Sequence, residues 1–180
     1  MLHDLLQRRR AVRYFDPERQ LDSERVRRRL EEAALAPTSS NMQLWECYHI
    51  TDRDTIRRLV PACLGQTAVS TAQQLVVFVT RRDLFRRRAA AVLDFERGNV
   101  ARNSPPARQA KRIHDRELYY GRLMPFLYGN ACGLLGLLRK TIVSITGLFR
   151  PIVRQVTEAD MRVVVHKSCA LVVQTFMLAM

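Results

Sequence analysis

The stretch Pro37-Thr38-Ser39-Ser40-Asn41-Met42-Gln43-Leu44-Trp45 decides how this chain is read. Three hydroxyls, a carboxamide pair at i and i+2, and the only Trp of the chain stand within nine residues. An apolar, helix-like spacing (Val26, Leu30, Ala33, Ala34) leads in, and a β-like run over 47–51 leads out. Pro37 biases Ala36 away from the α region and so marks a helix boundary. Polar side chains at a helix-to-strand junction suit a small-molecule site, because loops on a rigid scaffold carry function. The plainer reading is a turn rich in Ser, Thr and Asn, with Trp45 in the core. Local physics alone leaves both open.

Outward toward the N-terminus, Asp22 is placed to cap a helix over 23–36. Its inner face would carry Leu30, Ala33 and Ala34, while Arg25, Arg27, Arg28, Glu31 and Glu32 face water. Asp16-Pro17 reads as a turn and 11–15 as an extended connection. Leu2, Leu5 and Leu6 form a short helical face ending at Arg8-Arg9-Arg10. Toward the C-terminus, 54–60 reads as a short helix stopped near Pro61. Residues 75–80, Leu-Val-Val-Phe-Val-Thr, form the clearest strand, of a type expected where both faces are covered.

Beyond it, 81–97 and 107–123 read as helices separated by a loop over 98–106. The segment 123–153 is nearly free of charge, with Arg139-Lys140 at its centre and Arg150 near its end. A spanning helix needs about 20 apolar residues; the glycines and the central basic pair argue against one. A buried lid is expected ahead of a surface-lying amphipathic segment, which would allow weak membrane contact through 123–153. Residues 160–180 read as a long helix with Val164, Cys169, Ala170, Val173, Phe176 and Met177 on a buried stripe. No stop signal follows, and two strands make a marginal sheet. The reading therefore expects a further C-terminal piece.

Thirty Lys+Arg against seventeen Asp+Glu leave a formal charge of +13, which favours anionic partners without choosing among them. Four Cys and four His are scattered, with no C-x-x-C or H-x-x-x-H spacing. That pattern suits free thiols in a reducing, cytoplasmic setting rather than a disulfide framework or a metal site. The first residues carry no apolar leader-like run, so no signal peptide is expected.

A second constellation, Arg9-Arg10-Ala11-Val12-Arg13-Tyr14-Phe15, follows the first short helix. Arginines spaced along an extended segment can converge on one phosphate through charge-assisted bonds. Taken with Pro37 to Trp45, in this order, it resembles the nitroreductase-like flavoprotein family. That family opens with a helix and an R-x-S-x-R-x-F-like motif, then a helix ending in P-S-S-x-N-x-Q-P-W. The matches are Arg9, Ala11, Arg13 and Phe15, then Pro37, Thr38, Ser39, Asn41, Gln43 and Trp45. The resemblance continues through 66–72 and returns in 170–180, which looks like the family's central dimer helix. Residues 81–157 correspond to a variable lid or insert region.

The resemblance implies a single α+β domain over 1–180, with a central antiparallel or mixed sheet flanked by helices and C-terminal strands missing. It implies an FMN enzyme, a homodimer, and ping-pong hydride chemistry with NAD(P)H as reductant and a small aromatic, nitro or quinone-like substrate. The flavin carries the redox chemistry, so no catalytic base or nucleophile need be found. By position, Arg9 and Arg13 would hold the FMN phosphate, with Ala11 where the family often has Ser. Thr38 and Ser39 would lie along the flavin or in the partner's site. Asn41 and Gln43 would lie near the ring, and Gln66 toward its pyrimidine edge. Leu44 replaces a usual Pro. No metal ligand and no nucleic-acid contact is implied. The alternatives are a non-catalytic flavin-binding relative, or a basic protein of membrane surfaces or nucleic acid. The arginines are spread over several elements, and no nucleic-acid module motif is present.

Overall fold

The computed structural model describes residues 2–16 and 18–180. The turn expected at Asp16-Pro17 includes Pro17, which lies outside the described residues. The chain forms nine α-helices and two strands among those residues, grouped in two compact units.

The first unit holds the residues up to Pro37, Glu46–Val79 and Cys169–Met180. It contains α1 (Leu2–Arg8), α2 (Ser23–Ala33), α3 (Arg53–Leu59) and α4 (Thr67–Ser70), with most of β1 (Trp45–Ile50) and β2 (Leu75–Thr80). Helix α2 begins as its cap dictates: the Asp22 carboxylate accepts the Glu24 N–H at 2.9 Å. Val26 and Ala33 are buried, while Arg27 pairs with Glu24 and Glu31 on the wet side. Such exposed pairs add only a few tenths of a kcal/mol each, about 0.3–0.5. Asp52 caps α3 in the same way, through the Thr55 N–H at 2.8 Å.

Strands β1 and β2 form a two-stranded sheet. The Arg81 N–H donates to the Leu44 carbonyl at 2.9 Å, so the end of β2 lies beside the start of β1 and the pair is antiparallel. Strand β2 covers the expected residues, but it is not enclosed on both faces: Val77 is exposed and its neighbours are half-buried. One partner strand cannot cover it. Trp45 opens β1 and is half-buried rather than core.

The second unit holds Thr38–Trp45 and Thr80–Ser168. It contains α5 (Phe85–Asn103), α6 (Pro106–Leu118), a π-helical turn (Tyr119–Leu123), α7 (Met124–Tyr128), α8 (Leu134–Thr146) and the first half of α9 (Glu158–Ala179). Its core joins Met42 and Leu44 to Ala89, Tyr120, Met124, Tyr128, Met161 and Val165. Burying side chains of this size is worth about 1.5–3 kcal/mol each, so the polar stretch is tied to the core by its own apolar members.

Three expectations are corrected here. The loop expected over 98–106 is mostly helix, because α5 runs through Gly98 to Asn103 and only Ser104-Pro105 break it. A single helical Gly costs roughly 1 kcal/mol, less than the flanking turns return. Segment 123–153 is not a buried lid: on and after α8, Leu137 is 68% and Phe149 84% exposed, and Leu134, Leu148 and Val153 are exposed too. The buried stripe of α9 is Met161, Val165, Cys169 and Val172, a rotation from the expected one that leaves Ala170 and Met177 exposed. In a helix this apolar almost every residue fits some stripe, so the pattern does not set the phase.

Candidate functional site

In the first unit, the segment that follows α1 turns at Arg10–Val12 and is fastened at Phe15 and Asp16 to Thr71 and Gln73. The Phe15 N–H donates to Thr71 Oγ1 at 3.1 Å, and Gln73 Nε2 donates to the Asp16 carbonyl at 3.2 Å. Gln74 fastens the next bend, its Nε2 donating to the Leu21 carbonyl at 2.7 Å and to Ser23 Oγ at 3.1 Å. His49 Nε2 lies 2.7 Å from Gln74 Oε1, which holds that carboxamide against the sheet.

This segment lines a cavity of about 570 Å³. Arg9, Ala11 and Arg13 stand on one wall, and Val26, Val76 and Phe176 are among the apolar residues on the others. Arg10 turns back on α1, donating to the carbonyls of Gln7 and Arg9. Among the described residues, the Arg9 and Arg13 guanidinia have no acceptor or carboxylate partner. Two uncommitted guanidinia beside an apolar hollow form a donor set that suits a phosphate attached to an apolar body. Gln66, also in this unit, is exposed just before α4 and its side chain does not cap that helix; it does not line this cavity.

In the second unit, Ser40, Asn41 and Gln43 take left-handed backbone with φ of 52°, 52° and 46°. Residues other than Gly seldom adopt this region, and three within four positions need strong local support. The loop supplies it. Thr38 Oγ1 accepts the Gln43 N–H at 3.2 Å, and the Ser39 N–H donates to Ser168 Oγ at 3.1 Å. The Ser40 hydroxyl meets the Tyr119 hydroxyl at 2.8 Å, and the Tyr120 hydroxyl donates to the Ser40 carbonyl at 3.2 Å. Burial pushes the Tyr128 phenol up in pKa, and a hydrogen bond with the Ser39 side chain opposes that shift. Asn41 and Gln43 line a hollow of about 180 Å³ with Arg88, Val92 and Phe95.

The structure therefore brings Arg9, Ala11 and Arg13 together in one unit, and Asn41 and Gln43 together in the other. Thr38 and Ser39 share the second loop, where their polar groups support its conformation. Sequence reasoning missed the groups that brace this loop: Tyr119, Tyr120 and Ser168. The adjacent Tyr119-Tyr120 pair after an amphipathic helix was the available signal. It also missed Arg82 and Glu158, which pair side chain to side chain while Arg82 Nη2 donates to the Tyr128 carbonyl at 2.9 Å. The bond from Arg82 holds the Glu158 carboxyl below the usual range. No group of three metal-type ligands occurs among the described residues.

A family model described as the Nitroreductase family matches residues 6–180. Among curated proteins, DrgA of Synechocystis is 37% identical over 76 residues, which is 42% of this chain. A candidate NAD(P)H nitroreductase of Bacillus subtilis, YdgI, is 32% identical over 74 residues, or 41% of this chain. The chain covers only 36% and 35% of these two relatives' own length. A protein described as a candidate nitroreductase from Exiguobacterium sibiricum, solved with FMN, superimposes with TM-score 0.62 at 20% identity. The match covers 99% of this chain and 69% of that one. A nitroreductase-family protein from Streptococcus pneumoniae gives TM-score 0.61 at 20% identity, covering 99% and 70%. At such identity the structural likeness is one of fold, and that fold is the α+β arrangement expected.

Proposed function

The chain belongs to the Nitroreductase family, and from that premise we propose that it acts in an FMN-dependent NAD(P)H oxidoreductase. When bound, FMN would supply two-electron hydride chemistry, taking reducing equivalents from NAD(P)H and delivering them to a small aromatic, nitro or quinone-like substrate in ping-pong order. Arg9 and Arg13 would hold the phosphate, with Ala11 leaving the backbone room to approach. Thr38, Ser39, Asn41, Gln43 and Gln66 are the residues we assign to the flavin ring and its surroundings. A homodimer is part of the same reading, and exposed Leu171 and Met177 on the last turns of α9 are apolar surface available to it.

The observation that carries the reading is the pair of uncommitted guanidinia, Arg9 and Arg13, in one cavity beside apolar walls. A charge-assisted hydrogen bond is worth about 1.5–3 kcal/mol, so Arg13→Ala should weaken FMN binding roughly 10- to 100-fold. Riboflavin, which lacks the phosphate, should bind the variant and the parent alike. Flavin fluorescence quenching measures both. A protein that ignores FMN, or loses riboflavin and FMN equally on Arg13→Ala, would defeat the assignment.

A further inference from the structure

Helix α8 (Leu134–Thr146) turns its apolar side outward, the reverse of a helix that packs on a core in water. Arg139 and Val143 are its buried residues, and Leu135, Gly136 and Thr146 beside them are half-buried. Arg139, 1% exposed, fixes this orientation. Its Nε donates to the Val156 carbonyl at 2.7 Å, and Nη1 donates to the Phe126 and Gly129 carbonyls at 2.6 and 2.8 Å. Leu134, Leu137, Leu138, Ile142 and Ile145, spaced i, i+3, i+4, i+8 and i+11, are left on the opposite face, and all are exposed. The turn after the helix adds Leu148 and Phe149, which are 77% and 84% exposed. Side chains this exposed stand clear of the protein as a ridge, and a contiguous apolar surface of this kind marks an interaction site.

The charge around the ridge has one sign. From 118 to 157 the chain contains no Asp or Glu, and Lys140, Arg150 and Arg154 stand among the apolar residues. All three are exposed. Arg154 gives one N–H to the Gly147 carbonyl at 3.2 Å. Among the described residues, the Lys140 and Arg150 side chains make no hydrogen bond or ion pair. The acids at the start of α9 are engaged elsewhere. Glu158 pairs with Arg82. Asp160 Oδ2 accepts the Thr157 N–H at 2.9 Å and the Thr157 hydroxyl at 2.6 Å. Those bonds, ahead of the Lys140 charge, hold the Asp160 carboxyl below its usual range.

We propose that the α8 ridge docks on an anionic lipid bilayer, its Leu and Phe side chains entering the boundary between headgroups and acyl chains while Lys140 and Arg150 meet the headgroups. An apolar face with basic residues at its margin is what a helix needs to lie in a membrane interface, and Lys and Arg stems are long enough to reach outward to headgroups. Charge decides against a second copy as the occupant. Two such faces brought together would set Lys140 and Arg150 against their like, with no carboxylate on the ridge to pair them. Shape favours lipid over a protein groove, because a fluid bilayer accepts protruding side chains without a matching surface. None of these residues is assigned to flavin, so the proposal stands or falls apart from that reading.

Co-sedimentation of the full chain with vesicles tests it. Each Lys or Arg beside an anionic bilayer contributes about fivefold to binding. Vesicles of phosphatidylcholine with phosphatidylglycerol should therefore bind the chain about 25-fold or more tightly than phosphatidylcholine alone, two residues' worth. Salt should weaken that difference. Lys140→Glu with Arg150→Glu should remove the preference. Leu137→Ser with Phe149→Ser should cut binding at least about tenfold, while unfolding stays cooperative at the parent's temperature because both side chains are exposed. No association with either vesicle, equal binding to both, or unchanged binding by the Leu137→Ser, Phe149→Ser variant would overturn the proposal. A preference that survives Lys140→Glu with Arg150→Glu would assign the binding to other basic residues and overturn it as well. So would a dimer in lipid-free buffer that Leu137→Ser with Phe149→Ser dissociates, because the ridge would then belong to a second copy.

Discussion

Arg9 and Arg13 are exposed, and among the described residues their guanidinia make no hydrogen bond or ion pair with the protein. Arg82 and Arg139, in the other unit, give theirs to carbonyls and one carboxylate, and Arg139 is sealed from water. The residue type is the same and the role opposite. An exposed guanidinium is cheap to leave unpaired, because water solvates it until a ligand arrives. A buried one must be met by the chain, and it then becomes a clamp on whatever backbone meets it. Arg139 clamps the end of α7 to the segment that enters α9. In a chain with thirty basic residues, burial, rather than composition, separates the guanidinia proposed to meet a ligand from those that hold the backbone.

The contrast breaks first at Arg139. Arg139→Ala strands three carbonyls and should cost about 3–5 kcal/mol, the range for breaking a buried charge network. Urea unfolding measures it, and a loss under about 1 kcal/mol would mean the clamp is ornamental. The mirror experiment is Arg9→Ala. It should leave unfolding unchanged within about 0.5 kcal/mol yet weaken FMN binding roughly tenfold or more. Acid sharpens the comparison next. The Glu158 carboxyl is held below its ordinary pKa by Arg82. Its contribution to stability is therefore full above the unfolded carboxyl value and fades as pH falls through the lower folded one. Melting followed by tyrosine signals should show this acid loss, and Glu158→Gln should flatten it, whereas Arg9→Ala should not. The smallest effect belongs to the loop brace: Tyr119→Phe removes the Ser40 contact and should cost about 1 kcal/mol. Binding titrations on the same variant would tell whether the brace also tunes ligand affinity.

The parts of this molecule legible in the sequence are those where chemistry is local. The Asp22 cap and the β-branched run of β2 each act within a few residues and are found where expected, whereas α2 stops at Ala33, short of the end at 36 expected from Pro37. The resemblance carried by Arg9 to Phe15 and Pro37 to Trp45 is likewise local, and it led to the family. What failed needed distant information. The phase of α9 depends on which elements pack on it, and the exposure of α8 depends on neighbours that no pattern within 123–153 names. Arg139 was legible only as an interruption in an apolar run. That an interrupting charge can be the buried one, with the Leu and Phe around it exposed, inverts the usual hydropathy reading. Tyr119 and Tyr120 were invisible as a brace because their partners lie some eighty positions away in sequence.

The π-helical turn at Tyr119–Leu123 has one more consequence. Such a turn spends one extra residue per loop of helix, as if a single insertion had been absorbed without unwinding the rod. Every side chain beyond it is turned by about 100°, one residue's worth of a 3.6-residue period. Deleting Gly121, around which there is open space, would return the rod to even winding. It would also pull the two phenols out of step with Met124 and Tyr128 below them. The spacing of this chain, counted residue by residue, is thus itself a structural part: a vernier that lets one rod serve a strained loop at one end and a packed core at the other.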